Sequence, residues 1–446
     1  MPEPALEPAP APVPESAPEP AVHVFAGPTI PPDRIRRLLP AAHIHPPVQH
    51  GDLLRLAPRP GDTVAVVDGT FFQSPSVRHK ELLHLIDRGV RVHGASSMGA
   101  LRAAELAPLG MRGAGVVYRL YALGVLERDD EVAVAHATGD DGFVALSDAL
   151  VSIRFAARRA RVAGALDRAA ERLIVEAAAA MPFPQRRHAT AARAARRLGL
   201  MAAHEDAYLE HAARSADIKR ADAELLLRII ARENGPSIAG AGPISAGADL
   251  ASAGASPAEP PTVFLAEWLR SFRGELVDGE HVTDEAILTC CKLFATDYAD
   301  FHREHVLNAL DPATLQRAGV PAGLRATPES AAALVRGFCW SPGVPPDDLM
   351  LELLRATPAW VCAQEIVVRA LRLNRELSRL GYPVSRVSSP RLHTYFTERW
   401  GTDQLDGAIL DRGFASRYAF TTLAAPFLPL ALLKTVEPFA LRASGR

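Results

Sequence analysis

The stretch Val90-Arg91-Val92-His93-Gly94-Ala95-Ser96-Ser97-Met98-Gly99-Ala100-Leu101-Arg102-Ala103-Ala104-Glu105 runs from an apolar strand, through a cluster of small residues, into a helix. Ala95, Ser96, Gly99 and Ala100 permit a sharp turn with crowded backbone. The helix that follows opens with unpaired N–H groups and a partial positive charge. The same alternation repeats upstream. Apolar runs at Ala21–Ala26, Ala41–Ile44 and Thr63–Asp68 are separated by helix-like segments at Pro32–Leu39, Gly51–Leu56 and Ser76–Arg88. Strand and helix in alternation at short spacing predict βαβ units, an α/β fold with a mainly parallel sheet and flanking helices. The unbroken apolar run Val64-Ala65-Val66-Val67 suits a strand buried on both faces.

Downstream the pattern turns helical. Ala/Arg/Leu-rich stretches run from Phe143 to about Arg232, and residues 234–261 are dominated by Gly, Ala, Ser and Pro, the composition of a flexible linker. Beyond it a mostly α-helical C-terminal region is expected. Thr283–Leu310 and Ala359–Leu380 have helical periodicity, Gly381 sits where a C-terminal cap is wanted, and Ser389-Pro390 opens a helix that stops near Gly401. The chain thus divides into a Pro/Ala/Glu-rich tail (1–21), an α/β core (22–160), a helical extension (161–233), the linker and a helical domain (262–446).

Composition narrows the function. A net charge of -2 argues against a nucleic-acid binder driven by overall charge. None of the four cysteines stands in a C-x-x-C pair, which disfavours zinc and redox dithiols and fits a reducing, cytoplasmic setting. The N-terminus lacks the apolar core of a secretory signal. The run Ala419–Leu433 is broken by Pro426 and Pro429 and reads as a buried helix end, not a membrane anchor.

In an open parallel sheet ligands bind where strands end, so the loops after the strands carry the candidates. Gly27, after the first strand, allows a tight turn or close backbone approach to a ligand. Asp68 closes the third strand, placed for a site or for bonding its own Gly69-Thr70 turn. His79 and Lys80 open the next helix as a base, an anion-binding pair or a solvated face. Ser97 has the spacing Ala-x-Ser-x-Gly, close to a nucleophile elbow, but a serine there also caps helices. Arg102 and Glu105 lie three apart and can pair or clamp a carboxylate. Asp129-Asp130-Glu131 could hold Mg²⁺, cap a strand or attract a basic partner, and no ligand spacing favours the metal.

In this order the motifs resemble the TfuA-like core family. The blocks are Val24-Phe25-Ala26-Gly27-Pro28-Thr29, Asp68-Gly69, His79-Lys80-Glu81, Gly94 to Glu105, Gly110-Met111, Gly113 with Gly115, Tyr118, Gly124, Asp129-Asp130-Glu131-Val132-Ala133-Val134 and Ser152-Ile153-Arg154. The resemblance covers roughly a third of the chain and says nothing of residues after about Leu200. It implies an accessory protein of peptide-backbone thioamidation. A YcaO-type enzyme phosphorylates a backbone amide oxygen with ATP and sulfide replaces it. The TfuA-like protein recruits a thiocarboxylated ThiS-like sulfur carrier and hydrolyses it. The precursor peptide is a further candidate partner, and ATP and metal belong to the YcaO-type enzyme, so no cofactor is expected in this chain.

Hydrolysing a thiocarboxylate is acyl transfer, which needs a nucleophile or activated water, an oxyanion site and a positive group for the tail. Ser97, His79, Lys80 and Asp68 are the catalytic candidates. Gly27, Ser96, Met98, Arg102, Glu105 and Asp130 are the binding candidates. Two other readings stand beside this one: a non-catalytic scaffold for the YcaO-type enzyme, and an unrelated serine hydrolase using His136. The arginines 186, 187, 193, 196 and 197 form either a docking surface for an acidic carrier or a solvated helix face.

Overall fold

The computed structural model describes residues 19–71, 74–137, 142–234, 263–309, 332, 335–336, 346–384 and 387–441. The expected tail up to residue 18, the expected linker from residue 235, and Cys339 lie outside these residues. The chain falls into two compact units, Met1–Gly247 and Ala248–Arg446.

The first unit is built on five strands: β1 (Val22–Phe25), β2 (His43–His45), β3 (Thr63–Val66), β4 (Arg91–Ala95) and β5 (Arg112–Ala114). All pair in parallel, in the order β2-β1-β3-β4-β5. The mainly parallel α/β sheet read from the chain is therefore present. β5 has no counterpart among the apolar runs read from the sequence. Arg-Gly-Ala carries no apolar run, and the strand exists because Arg112, Gly113 and Ala114 pair with His93, Gly94 and Ala95.

Helices α1 (Pro32–Leu38), α2 (Asp52–Leu56), α3 (His79–Asp87), α4 (Met98–Leu106) and α5 (Gly115–Ala122) alternate with the strands. Five more follow: α6 (Leu150–Val162), α7 (Arg168–Ala179), α8 (His188–Arg197), α9 (Ala202–Arg214) and α10 (Ile218–Asn234). One face of the sheet packs Phe25, Val64, Val66 and Val92 against Leu82 and Leu85 of α3 and Met98 and Ala103 of α4. The other face packs Val24, Ala65, Val67 and Ala95 against Ile35 of α1 and Leu226, Leu227 and Ile230 of α10. Val64 to Val67 are fully buried. Each valine there contributes about 1.5–3 kcal/mol of apolar burial. Because α10 covers a sheet face, the α/β layer draws on residues well beyond 160. Helices α6 to α9 bury an alanine-rich core of their own around Tyr208.

The second unit is mostly helical. Helix α11 (Val263–Phe272) is followed by a hairpin, β6 (Gly274–Val277) and β7 (Glu280–Thr283), turned at Asp278-Gly279 with φ of 51° and 80°. Both left-handed residues suit a tight hairpin turn. The long helix read over 283–310 is two, α12 (Asp284–Phe294) and α13 (Tyr298–Ala309). The break has a tertiary cause: Ala295 bridges Phe439, and Thr296 N donates to Phe439 O at 2.9 Å. The helix Ala359–Arg379 ends as expected, with Gly381 at φ 84°. In Ser389–Trp400 the capping position is Ser388, one residue earlier than Ser389-Pro390 suggests. Trp400 packs against Phe396 and Phe420 in the core, and its indole N–H donates to Leu293 O. Among the described residues no helix is long and apolar enough to cross a membrane.

Candidate functional site

The strand order changes direction between β1 and β3, and the loops leaving those two strands border the crevice in which open α/β sheets bind ligands. Asp68 stands there, 2% exposed. Its carboxylate accepts from Gly27 N at 2.9 Å, Thr29 N at 3.1 Å and Thr29 Oγ1 at 2.6 Å. It thus clamps the first loop to the third. The alternative role weighed above, bonding its own Gly69-Thr70 turn, gives way to this longer-range one.

Between β4 and α4 the backbone turns within van der Waals distance of β3. A Cβ on Gly99 would stand 1.8 Å from Val66 O, and one on Gly94 would stand 2.1 Å from Gly99 O. No larger residue fits either place, which is why the run of small residues is needed. The left-handed residue of this turn is Ser96, at φ 71°. The elbow spacing had pointed to Ser97, so the backbone strain lies one position earlier than the pattern suggested. Ser96 Oγ is buried without a hydrogen-bond partner. Ser97 is the N-cap residue of α4, yet its hydroxyl makes no capping bond. Instead Ser97 Oγ donates to Val132 O at 3.4 Å, a long bond for a hydroxyl.

Ser97 and Asp68 line one narrow cavity of about 150 Å³, together with Thr70 and His136. Thr70 Oγ1 has no hydrogen-bond partner in its buried place. His136 Nδ1 lies 2.8 Å from Ala137 O. A second, larger cleft of about 440 Å³ shares Phe71 with the narrow cavity as a lining residue. Met98, Arg102, Glu105, Arg128, Asp129 and Asp130 line the cleft.

The candidates therefore divide. Asp68 and Ser97 share the narrow cavity. Met98, Arg102, Glu105 and Asp130 belong to the wide cleft. His79 joins the latter group: its Nε2 is 2.8 Å from Glu105 Oε2 and 3.4 Å from Arg102 Nη1. Arg102 donates to Glu105 at 2.6 Å and to Val77 O at 3.3 Å. These bonds engage its Nε and Nη1, and a guanidinium has further N–H donors on Nη2 for an anion. Lys80 is exposed in the first turn of α3. Asp130 is gripped by Arg128 at 2.8 and 2.9 Å and by Arg186 at 3.1 Å. Glu131 takes both arms of Arg154, at 2.9 and 2.8 Å. Two of the three adjacent acids are thus committed to guanidinium groups. Arg186 leaves the arginine group read as one surface: it is fully buried and also donates to Ala178 O and Met181 O.

One buried residue that shares an acceptor with Ser97 escaped the sequence reading altogether. Lys219, in the first turn of α10, is 4% exposed, and its Nζ donates to Val132 O at 2.9 Å. Burial pushes its ammonium below the usual lysine value, while the charges of Asp68 and then Asp217 oppose that shift. Nothing local in Asp217-Ile218-Lys219 marks a site, and only the packing of α10 on the sheet brings it there.

Residues 68–187 match the family model of TfuA-like protein. That stretch, from the end of β3 to the edge of α8, is a TfuA-like region and contains Asp68, Ser97, Arg102 and Asp130. No curated protein matches the chain.

Proposed function

We propose that this TfuA-like chain recruits a thiocarboxylated ThiS-like carrier and hydrolyses it, delivering sulfide to a YcaO-type enzyme for thioamidation of a ribosomal peptide. The supporting observation is Ser97. Its hydroxyl faces a narrow cavity at the strand ends, beside the opening of α4, inside the stretch that matches the family. A serine so placed can attack an acyl carbon, and the Met98 N–H that opens α4 can hold the oxyanion that forms, the N–H groups of Gly99 and Ala100 being engaged by Val67 O and Ser97 O.

The chemistry balances without a cofactor. Ser97 Oγ bonds to the thiocarboxylate carbon and the C–S bond breaks. Sulfur leaves as hydrosulfide with the hydroxyl proton. Water then cleaves the ester, returning the serine and releasing a carboxylate and a proton. A cavity of about 150 Å³ is smaller than drug-sized ligand pockets, roughly 300–1,000 Å³, so it suits the slim tail of a carrier. The wide cleft with Arg102, Glu105, His79 and Asp130 would then receive the folded carrier or the precursor peptide. In this reading Asp68 acts from behind, holding the Gly27 loop as one wall of the tail channel.

The test is sulfide release from a purified thiocarboxylated carrier. Ser97→Ala should lower the rate by at least ~10³-fold with the fold intact. A second reading, a non-catalytic scaffold, draws on the bond from Ser97 Oγ to Val132 O, which a merely structural serine would also make. No sulfide release by the parent protein, with the YcaO-type partner still bound, would select the scaffold, and an unchanged rate in Ser97→Ala would move the chemistry to another group.

A further inference from the structure

We propose that Lys219, which stands outside the lining of the narrow cavity but shares an acceptor with Ser97, is the general base for that serine, so that the two form a serine–lysine reacting pair. The proposal rests on Ser97 as the nucleophile and adds the group that takes its proton.

The geometry starts from one acceptor. Val132 O receives both the Ser97 hydroxyl, at 3.4 Å, and the Lys219 ammonium, at 2.9 Å. The two polar atoms therefore converge from opposite layers, Ser97 from the β4–α4 turn and Lys219 from α10. The long serine bond leaves the hydroxyl loosely held and able to turn toward Nζ. A carbonyl acceptor is also telling. It leaves the lysine's charge without the carboxylate contact that would lock the proton on.

Buried Arg412 is likewise held by carbonyls, Lys292 O and Ala295 O, but two other buried cations show the contrast. Lys292 Nζ lies 2.6 Å from Asp347, and Arg186 reaches Asp130 at 3.1 Å. Both are charges held by a carboxylate. Only four of the 49 basic residues are lysine. A chain that otherwise relies on arginine, including for a fully buried cation, places at this point a side chain that can lose its proton. The charged groups acting on Lys219 are Asp68, from the loop after β3, and Asp217, just before α10. Asp222, farther along α10, is turned to α5 and bonds Val116 N and Val117 N. Burial favours the neutral amine, which is the form a base needs.

The rival bases are placed differently. His79 is joined to Glu105 and Arg102 at the wide cleft. His136 lines the same cavity as Ser97, with its Nδ1 against Ala137 O. In the step itself, neutral Lys219 Nζ accepts the Ser97 proton as Oγ bonds to the acyl carbon. The ammonium returns that proton to the departing sulfur. The neutral amine then accepts a proton from water as it attacks the ester and gives that proton to the departing Ser97 Oγ.

The experiment uses a fluorophosphonate probe on the full chain, without any carrier. Attack by an activated serine forms an O–P bond and expels fluoride. Peptide mapping should find the label on Ser97, and the rate should rise with pH to a midpoint below the ordinary lysine value of about 10.4. Lys219→Arg keeps a donor for Val132 O but cannot be deprotonated, so it should fold and lose about 10²-fold or more in labelling rate. Lys219→Met should lose as much, and the pH midpoint should persist in His136→Ala. Labelling of Ser97 at the parent rate in either folded lysine variant overturns the proposal. So does labelling of Ser96 in place of Ser97, or no labelling at all. If neither lysine variant folds, the parent protein's pH profile decides. A rate independent of pH, or a midpoint that vanishes in His136→Ala, overturns the proposal, and a midpoint kept in His136→Ala supports it. Lys219-dependent labelling without sulfide release from the carrier would keep the pair and remove the thiocarboxylate substrate. Sulfide release indifferent to Lys219 would do the reverse.

Discussion

At the scale of single residues, the sheet of the first unit contains two histidines that the fold holds neutral. His93 on β4 and His23 on β1 are 2% and 9% exposed, and both are pushed down from the ordinary 6.5 to about 4. Burial is the main cause for each; Arg112 and Arg91 add to it at His93, and His45 and His43 at His23. The sign follows from linkage. Below pH 6.5 the unfolded chain takes up protons that the folded chain refuses. Stability contributed by this difference is fully present above 6.5 and is lost as pH falls toward 4. The slope is on the order of 1.4 kcal/mol per pH unit for each histidine. Urea unfolding between pH 7.5 and 4.5 should show this decline, and His93→Leu should make it shallower, the remainder coming from His23 and from other histidines that burial depresses, such as His302. A slope equal to the parent's in that variant would mean that His93 is protonated in the fold.

At the scale of elements, α10 does more than cover the sheet. Asp222 accepts from Val116 N at 2.9 Å and Val117 N at 2.7 Å, satisfying the open N–H groups of α5. The approach is so close that a Cβ on Gly115 would lie 2.2 Å from the Asp222 carboxyl carbon. Arg34 of α1 meets Glu224 through two bonds, at 2.8 and 2.9 Å, on the same helix. Removing the cap leaves donors unpaired in a buried place. Asp222→Ala should therefore cost about 1–3 kcal/mol, read as a lower denaturant midpoint at unchanged slope. Asp222→Asn, with one carbonyl acceptor left, should fall between the two. A midpoint equal to the parent's would show that water replaces the cap. Because Lys219 lies one turn earlier on α10, a loosened helix should also slow Ser97.

At the scale of the whole chain, each unit closes its own core. The clusters around the parallel sheet and helices α6 to α9 draw on residues 22 to 231, and the helical cluster draws on residues 277 to 441. Residues 1–247 and 248–446, expressed separately, should both be soluble and melt cooperatively. The first piece should retain Ser97-dependent sulfide release, since Asp68, Ser97, Arg102 and Lys219 all belong to it. The second piece should not act on the carrier. An insoluble or inactive first piece would mean that the units share stabilising contacts. In the second unit, Arg270 meets Glu285 at 3.2 Å and Asp348 at 3.0 Å, and Lys292 meets Asp347. Buried charges paired in this way are consistent with a structural role for that network.

The sequence by itself determined the first four strands and the crowded turn at residues 94 to 100. These are local matters: apolar runs of strand length, and small side chains wherever two backbones must touch. It also brought Asp68, Ser97 and Arg102 forward, because each stands at a strand end or in the helix that follows one. Tertiary structure alone decided β5, whose three residues form a strand only because β4 offers its edge. It also decided the division between narrow cavity and wide cleft, because that depends on which way each side chain turns. Lys219 is the clearest case. It lies 87 residues along the chain from Val132, while Ser97 lies 35 residues away on the other side. No spacing rule connects them. They share an acceptor because α10 buries its apolar face on the sheet and brings its first turn beneath the strand ends.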